Sequence, residues 1–121
     1  MTTAVRCRLA LTLTLGLLVA ASPAAAHVGV KSYSPKRGST VARSLERVKV
    51  TFKGRIVDGR LTVTGPSGSK VSTGDGSVVG RKRVLRVGLR GGLARGRYHV
   101  SMKVLHTDGH AKSKSWSFNL R

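Results

Sequence analysis

The stretch from Gly96 to Leu120, GRYHVSMKVLHTDGHAKSKSWSFNL, decides the fold class. Tyr98, Val100, Met102 and Val104 alternate with His99, Ser101 and Lys103; beyond Asp108-Gly109, Trp116, Phe118 and Leu120 alternate with Ser115, Ser117 and Asn119. A period of two sends successive side chains to opposite faces of a strand, so each run gives one apolar face to a core and one polar face to water. The same alternation recurs toward the amino terminus. Leu85, Val87 and Leu89 alternate with Arg86, Gly88 and Arg90, Leu61 and Val63 with Thr62 and Thr64, and Val48, Val50 and Phe52 with Lys49, Thr51 and Lys53. Turn chemistry separates these runs at Ser34-Pro35, Asp58-Gly59, Gly65-Pro66-Ser67-Gly68, Gly74-Asp75-Gly76, Gly91-Gly92 and Asp108-Gly109. Only Val41 to Val48 has helical spacing, over too short a length for a stable helix. The pattern predicts an all-β chain, one antiparallel Greek-key sandwich of about seven strands with an immunoglobulin-like layout. The Gly/Ser-rich stretch from Gly65 to Gly80 reads as a mobile hairpin region and not as a domain boundary.

The first 26 residues read differently. Arg6 and Arg8 precede the apolar run Leu9 to Ala21, and Pro23 precedes Ala24-Ala25-Ala26. That is the layout of a secretory signal peptide with an Ala-x-Ala cleavage site. The apolar run is shorter than the roughly 20 residues that span a bilayer. Cleavage after Ala26 leaves one domain, residues 27–121, beginning with His27 and exported to a periplasmic, cell-surface or secreted location. Cys7 lies within the leader, so the mature domain has no disulfide framework and no thiolate for a zinc ribbon.

The leader holds two of the 23 Lys and Arg and none of the four acids, so the mature charge is +17. A field of that size attracts polyanions and repels cations. For an exported protein, anionic cell-wall polymer or lipid headgroups are the natural partners. Four acids leave little material for carboxylate catalysis, and no nucleophile elbow, phosphate-cradling loop or His-Glu-x-x-His helix is present. The sequence therefore points away from an enzyme.

Histidine is the residue type that remains, at His27, His99, His106 and His110. In an extended chain, residues two apart share a side at about 6.5 Å between Cα atoms, so Asp108 and His110 can reach one ion. Asp-Gly is equally a common hairpin turn, which alone explains the segment without a metal. His27 shifts the balance, because a free amino-terminal histidine chelates through its α-amine and its ring together. With Asp108 and His110 this makes a nitrogen-rich N/O donor set, which favours copper(II).

The mature chain resembles the CopC-type copper-resistance proteins. His27-Val28 through Ser34-Pro35-x-x-Gly38 is similar to that family's opening, and Val48-x-Val50-Thr51-Phe52 to its next core strand. Gly96-x-Tyr98-x-Val100, Asp108-Gly109-His110 and Ser115-x-Ser117-Phe118 follow its closing motif in order and spacing. The resemblance implies one copper(II) per chain, held by the amine and ring of His27, the Asp108 carboxylate and the His110 ring. It departs at Met102, where the family usually has Trp, and at His106, where it has a small residue. On a regular strand His106 would share a face with Asp108 and His110, as a further ligand or a partner behind the ligands; an exposed surface position is the plainer reading. Met102, the only mature methionine, faces the core by parity, so no copper(I) site is expected. His99 points away from the core.

Three functions compete. The first is a monomeric copper(II) carrier or scavenger exchanging its ion with a membrane transporter. The second is a basic module that binds anionic polymer through its charge without a metal role. The third is a copper oxygenase, since a terminal-histidine chelate plus a second histidine resembles the copper brace of polysaccharide monooxygenases; here Asp108 would occupy the position such a site keeps open for oxygen.

Overall fold

Each alternating run forms a strand. The computed structural model describes Gly16 and residues 28–121. The elements are β1 (Val30–Ser34), β2 (Thr40–Val41), β3 (Arg47–Phe52), β4 (Asp58–Thr64), β5 (Ser72–Val79), β6 (Val84–Leu89), β7 (Gly96–Leu105) and β8 (Ala111–Leu120). They make two four-stranded sheets, in the orders β1-β3-β6-β5 and β2-β8-β7-β4. All pairings are antiparallel except the two-residue β2, which runs parallel to β8 through Thr40–Asn119 and Val41–Leu120. That short strand is the element beyond the expected seven. The helical spacing read at Val41 to Val48 falls on the end of β2, a connection with a turn in which Leu45 N–H donates to the Ala42 carbonyl, and the start of β3; no helix occurs among the described residues.

The core lies between the sheets. Val48, Val50 and Phe52 on β3 and Leu85 and Val87 on β6 meet Leu61 and Val63 on β4, alternate residues from Tyr98 to Val104 on β7, and Trp116, Phe118 and Leu120 on β8. Met102 is buried here, as its parity requires. Burying a side chain of this class stabilises by about 1.5–3 kcal/mol. The polar ends of the large aromatics are accommodated. The Tyr98 hydroxyl donates to the Ala94 carbonyl at 2.6 Å, and the Trp116 indole N–H reaches the Pro35 carbonyl at 3.3 Å. Trp116 thereby ties β8 to the segment after β1, and its ring lies 4.6 Å from that of Tyr33.

Three turn expectations are corrected. Asp58-Gly59 opens β4 and is not a turn: Asp58 and Gly59 pair with Leu105 and Val104 of β7. Gly59 serves close packing. A Cβ there would sit 2.7 Å from Leu85 Cδ2 and 3.3 Å from the Lys103 carbonyl oxygen. The stretch from Gly65 to Gly80 is not one hairpin region, because it contains the whole of β5; Gly65–Gly68 turns before it, closed by Gly68 N–H donating to the Gly65 carbonyl, and Gly80 opens the turn after it, where Arg83 N–H donates to the Gly80 carbonyl. Gly74-Asp75-Gly76 is a bulge inside β5, where the register with β6 shifts between Thr73 and Ser77. These glycines read as turns because a bulge also demands positive φ, here +72° and +91°.

Gly59→Ala is expected to lower stability by about 1–3 kcal/mol through overpacking. Gly91→Ala, where an added Cβ meets nothing within 4 Å, is expected to stay within about 0.5 kcal/mol. Equal melting temperatures for the two variants would show that Leu85 yields without cost.

Candidate metal centre

The β7–β8 hairpin carries the chemistry. The two strands pair over ten residues from Gly96–Leu120 to Leu105–Ala111, and the chain reverses through His106 to His110. His106 N–H donates to the His110 carbonyl at 2.9 Å, and Gly109 N–H donates to the His106 carbonyl at 3.0 Å. Gly109 supplies the reversal with φ +85°.

Within this turn Asp108 and His110 are brought together, though not as the extended pair that the spacing suggests. Asp108 Oδ1 accepts the His110 backbone N–H at 2.9 Å, and Asp108 Oδ2 accepts from the His110 ring at Nδ1, 3.1 Å away. An ionised carboxylate only accepts, which makes Nδ1 the protonated ring nitrogen. Both donors of residue 110 therefore end on one carboxylate and hold it in place. The Asp108 side chain is 23% exposed and the His110 ring 75%, so the pair sits open to water with its carboxylate partly enclosed.

The spacing suits a metal ion. Two ligand atoms about 2.0–2.2 Å from one ion and roughly at right angles lie about 2.8–3.1 Å apart. The Oδ2–Nδ1 separation of 3.1 Å falls in that range. An ion bound by both atoms would sit to one side of the line joining them, so the carboxylate and the ring would turn from their hydrogen bond to face it while keeping their separation.

His106 is elsewhere. The strand ends at Leu105, and His106 keeps the inward parity of Met102 and Val104 with only 4% of its surface exposed. This corrects the reading of His106 as an exposed surface residue and its placing on one face with Asp108 and His110. Among the described residues no third His, Cys, Asp or Glu joins the pair. His106 instead lines a cleft of about 210 Å³ at the open edge between the sheets, with Val28 and Phe52 on one wall, Met102 and Val104 on the other, and Lys112 and Lys114 at the rim. No periodicity or spacing signals this cleft, since it depends on how the edge of one sheet faces the other. His27 lies outside the described residues. Its neighbour Val28 lines the same cleft as His106.

His99 is exposed on the outer face of β7, as expected, and its Nδ1 meets the Ser117 hydroxyl at 3.0 Å.

The comparison with curated proteins gives no match. Among solved structures the chain is similar to CopC from Methylosinus trichosporium OB3b, with 26% identity and a TM-score of 0.65, covering 78% of this chain and 93% of that one. It is also similar in fold to PcoC, a methionine-rich copper-resistance protein from Escherichia coli, with 23% identity and a TM-score of 0.63, covering 78% of this chain and 99% of that one. The CopC domain model matches residues 30–121, from β1 to the last residue, and so takes in the hairpin with Asp108 and His110. The chain belongs to the CopC family.

Proposed function

We propose that this protein is an extracytoplasmic copper(II) carrier or scavenger in copper resistance, binding one ion per chain as cargo and without turnover. Its ligands are the α-amine and ring of His27, freed by removal of residues 1–26, together with Asp108 and His110. The observation that carries the reading is the Asp108–His110 pair at ligand spacing on the β7–β8 turn, at the same end of the sandwich as Val28. Residue 27 is one Cα step, about 3.8 Å, from Val28. The two relatives, one of them a copper-resistance protein, support the choice of copper.

The residues have separable tasks. Asp108 contributes negative charge and an oxygen donor in a surface otherwise rich in Lys and Arg, offsetting the repulsion that a cation meets there. The backbone N–H of residue 110 fixes that carboxylate before any ion arrives. Coordination through His110 Nδ1 shifts the proton of the neutral ring to Nε2, and an imidazolium must give up a proton before it can bind, so affinity falls as the solution is acidified. Release to a membrane transporter then follows from competition by another ligand set or from protonation.

The test is copper(II) titration of mature protein, followed by calorimetry and electron paramagnetic resonance. Asp108→Asn keeps an acceptor for the residue 110 N–H but removes the charge and one carboxylate oxygen. It is expected to weaken binding at least as much as the 10–100-fold typical of losing a partner behind a ligand. Unchanged affinity in this variant, or affinity independent of pH between about 4 and 7, would reject the ligand set.

A further inference from the structure

The opposite end of the β2-β8-β7-β4 sheet holds a second polar site. A depression of about 370 Å³ opens on its outer face between Arg37 and Arg97, floored by His99, Ser115, Ser117 and Asn119. None of the four acids lines it. The arginines are set in place by the fold. Arg37 belongs to the turn after β1, which is closed by Gly38 N–H donating to the Ser117 carbonyl at 2.7 Å and Ser39 N–H donating to the Lys36 carbonyl at 3.0 Å. Its guanidinium lies over the Tyr33 ring at 5.5 Å from the centroid, a contact that keeps the cation near one position. Arg97 stands on β7 opposite Asn119 of β8.

From this depression a polar track runs along the sheet. The next row is Thr64, His99 and Ser117, and the row after it Thr62, Ser101 and Ser115. The Thr64 hydroxyl donates to the His99 carbonyl, and the Ser117 hydroxyl meets the His99 ring. The third row brings cations again, with Arg60 and Lys103 paired across β4 and β7. Rows repeat every two residues, about 6.6 Å, so the cations at Arg97 and Lys103 stand about 20 Å apart with hydroxyls between them. Acid appears only one row further, at Asp58.

We propose that this face binds a linear phosphate-linked polymer, one phosphate seated between Arg37 and Arg97 and the chain following the hydroxyl track toward Arg60 and Lys103. Paired guanidinium groups suit an oxyanion because their planar donors engage two oxygens at once. Ser, Asn and imidazole donors complete the shell of a recessed phosphate. A bilayer is a poorer match, since it presents headgroups in a plane and a recess one group wide engages few of them. A polymer reaching both cationic ends gains from effective concentration, whereas a single phosphate does not. The site is independent of the copper(II) reading: Arg97 and His106 are separated by about 30 Å along β7.

The experiment uses the mature chain and long-chain inorganic polyphosphate, followed by calorimetry, with orthophosphate and phosphatidylglycerol vesicles as separate arms. Arg37→Gln with Arg97→Gln is expected to weaken polyphosphate binding at least about tenfold and to make the log–log salt dependence shallower by roughly 1–2. The same charge removed from the outer face of the other sheet, through Lys49→Gln with Arg86→Gln, is expected to cost less than about threefold. Amide resonances of His99, Ser115 and Ser117 should shift on adding polyphosphate to unaltered protein. Equal losses in the two double variants would assign the binding to diffuse charge and overturn the site. So would vesicle binding without polyphosphate binding, or resonance shifts confined to other faces. Copper(II) affinity is expected to be unchanged in Arg37→Gln with Arg97→Gln, so failure here and failure of the copper site remain distinguishable.

Discussion

One extra methionine ahead of His27 in the mature chain is expected to weaken copper(II) binding by at least about a hundredfold, beyond the 10–100-fold that follows from disturbing groups behind a ligand. The addition leaves every side chain in place. It converts the α-amine of His27 into an amide, which no longer offers a lone pair to the ion, and breaks a chelate in which one residue supplies two nitrogens. The Asp108–His110 pair survives intact, so residual binding through one oxygen and one ring nitrogen is expected together with a changed nitrogen hyperfine pattern. Copper-dependent stabilisation gives a second readout, because the rise in stability follows RT ln(1 + [L]/Kd) and shrinks with affinity. An extended chain that binds as tightly as the native one would remove the terminal chelate from the site. Sequencing of the exported protein must also show His27 as its first residue.

Trp116→Ala is expected to have the largest effect on stability, about 3–5 kcal/mol for a buried tryptophan. Trp116 fills the core from β8, touches Tyr33 of the other sheet and reaches the Pro35 carbonyl. Truncation opens a cavity between the sheets and strips that carbonyl of its indole donor. A domain of this size has only about 5–15 kcal/mol in total. At about 4–8 °C per kcal/mol, the melting temperature should fall by more than about 12 °C. A fall of only a few degrees would mean that the residues around Tyr33 collapse into the space. Trp116→Phe should recover most of the packing and leave the lost hydrogen bond as the remainder.

The sandwich was legible because its strands are buried on one face, so parity alone assigned Val48, Val50, Leu85, Tyr98, Met102 and Phe118 to the core. Glycine misled where it served purposes other than turning. Gly59 makes room for Leu85, and Gly74 and Gly76 shape a bulge, yet each reads in sequence as a turn signal. β2 escaped notice because two residues carry no period. At the hairpin, Asp108 and His110 were legible as a pair, but spacing implied an extended strand where the structure has a turn that folds the ring back onto its own carboxylate. His106 was misjudged for the same reason: whether a residue at a strand end stays on the surface depends on where the strand stops and what lies beneath it, and the cleft with Val28 and Met102 is formed by segments distant in sequence. His27 was singled out by leader processing and by its unique donor pair, and lies outside the described residues.

The ten-residue ladder joining β7 to β8 gives the molecule two poles on one stiff rod. The turn with Asp108 and His110 sits at one pole and Arg97 at the other. Tethering by one pole orients the molecule. Under the two proposals made above, a protein anchored through the arginine end would hold its hairpin tip outward, where incoming ions pass first, and would hand on what it catches only by letting go or by waiting for an acceptor to come to it.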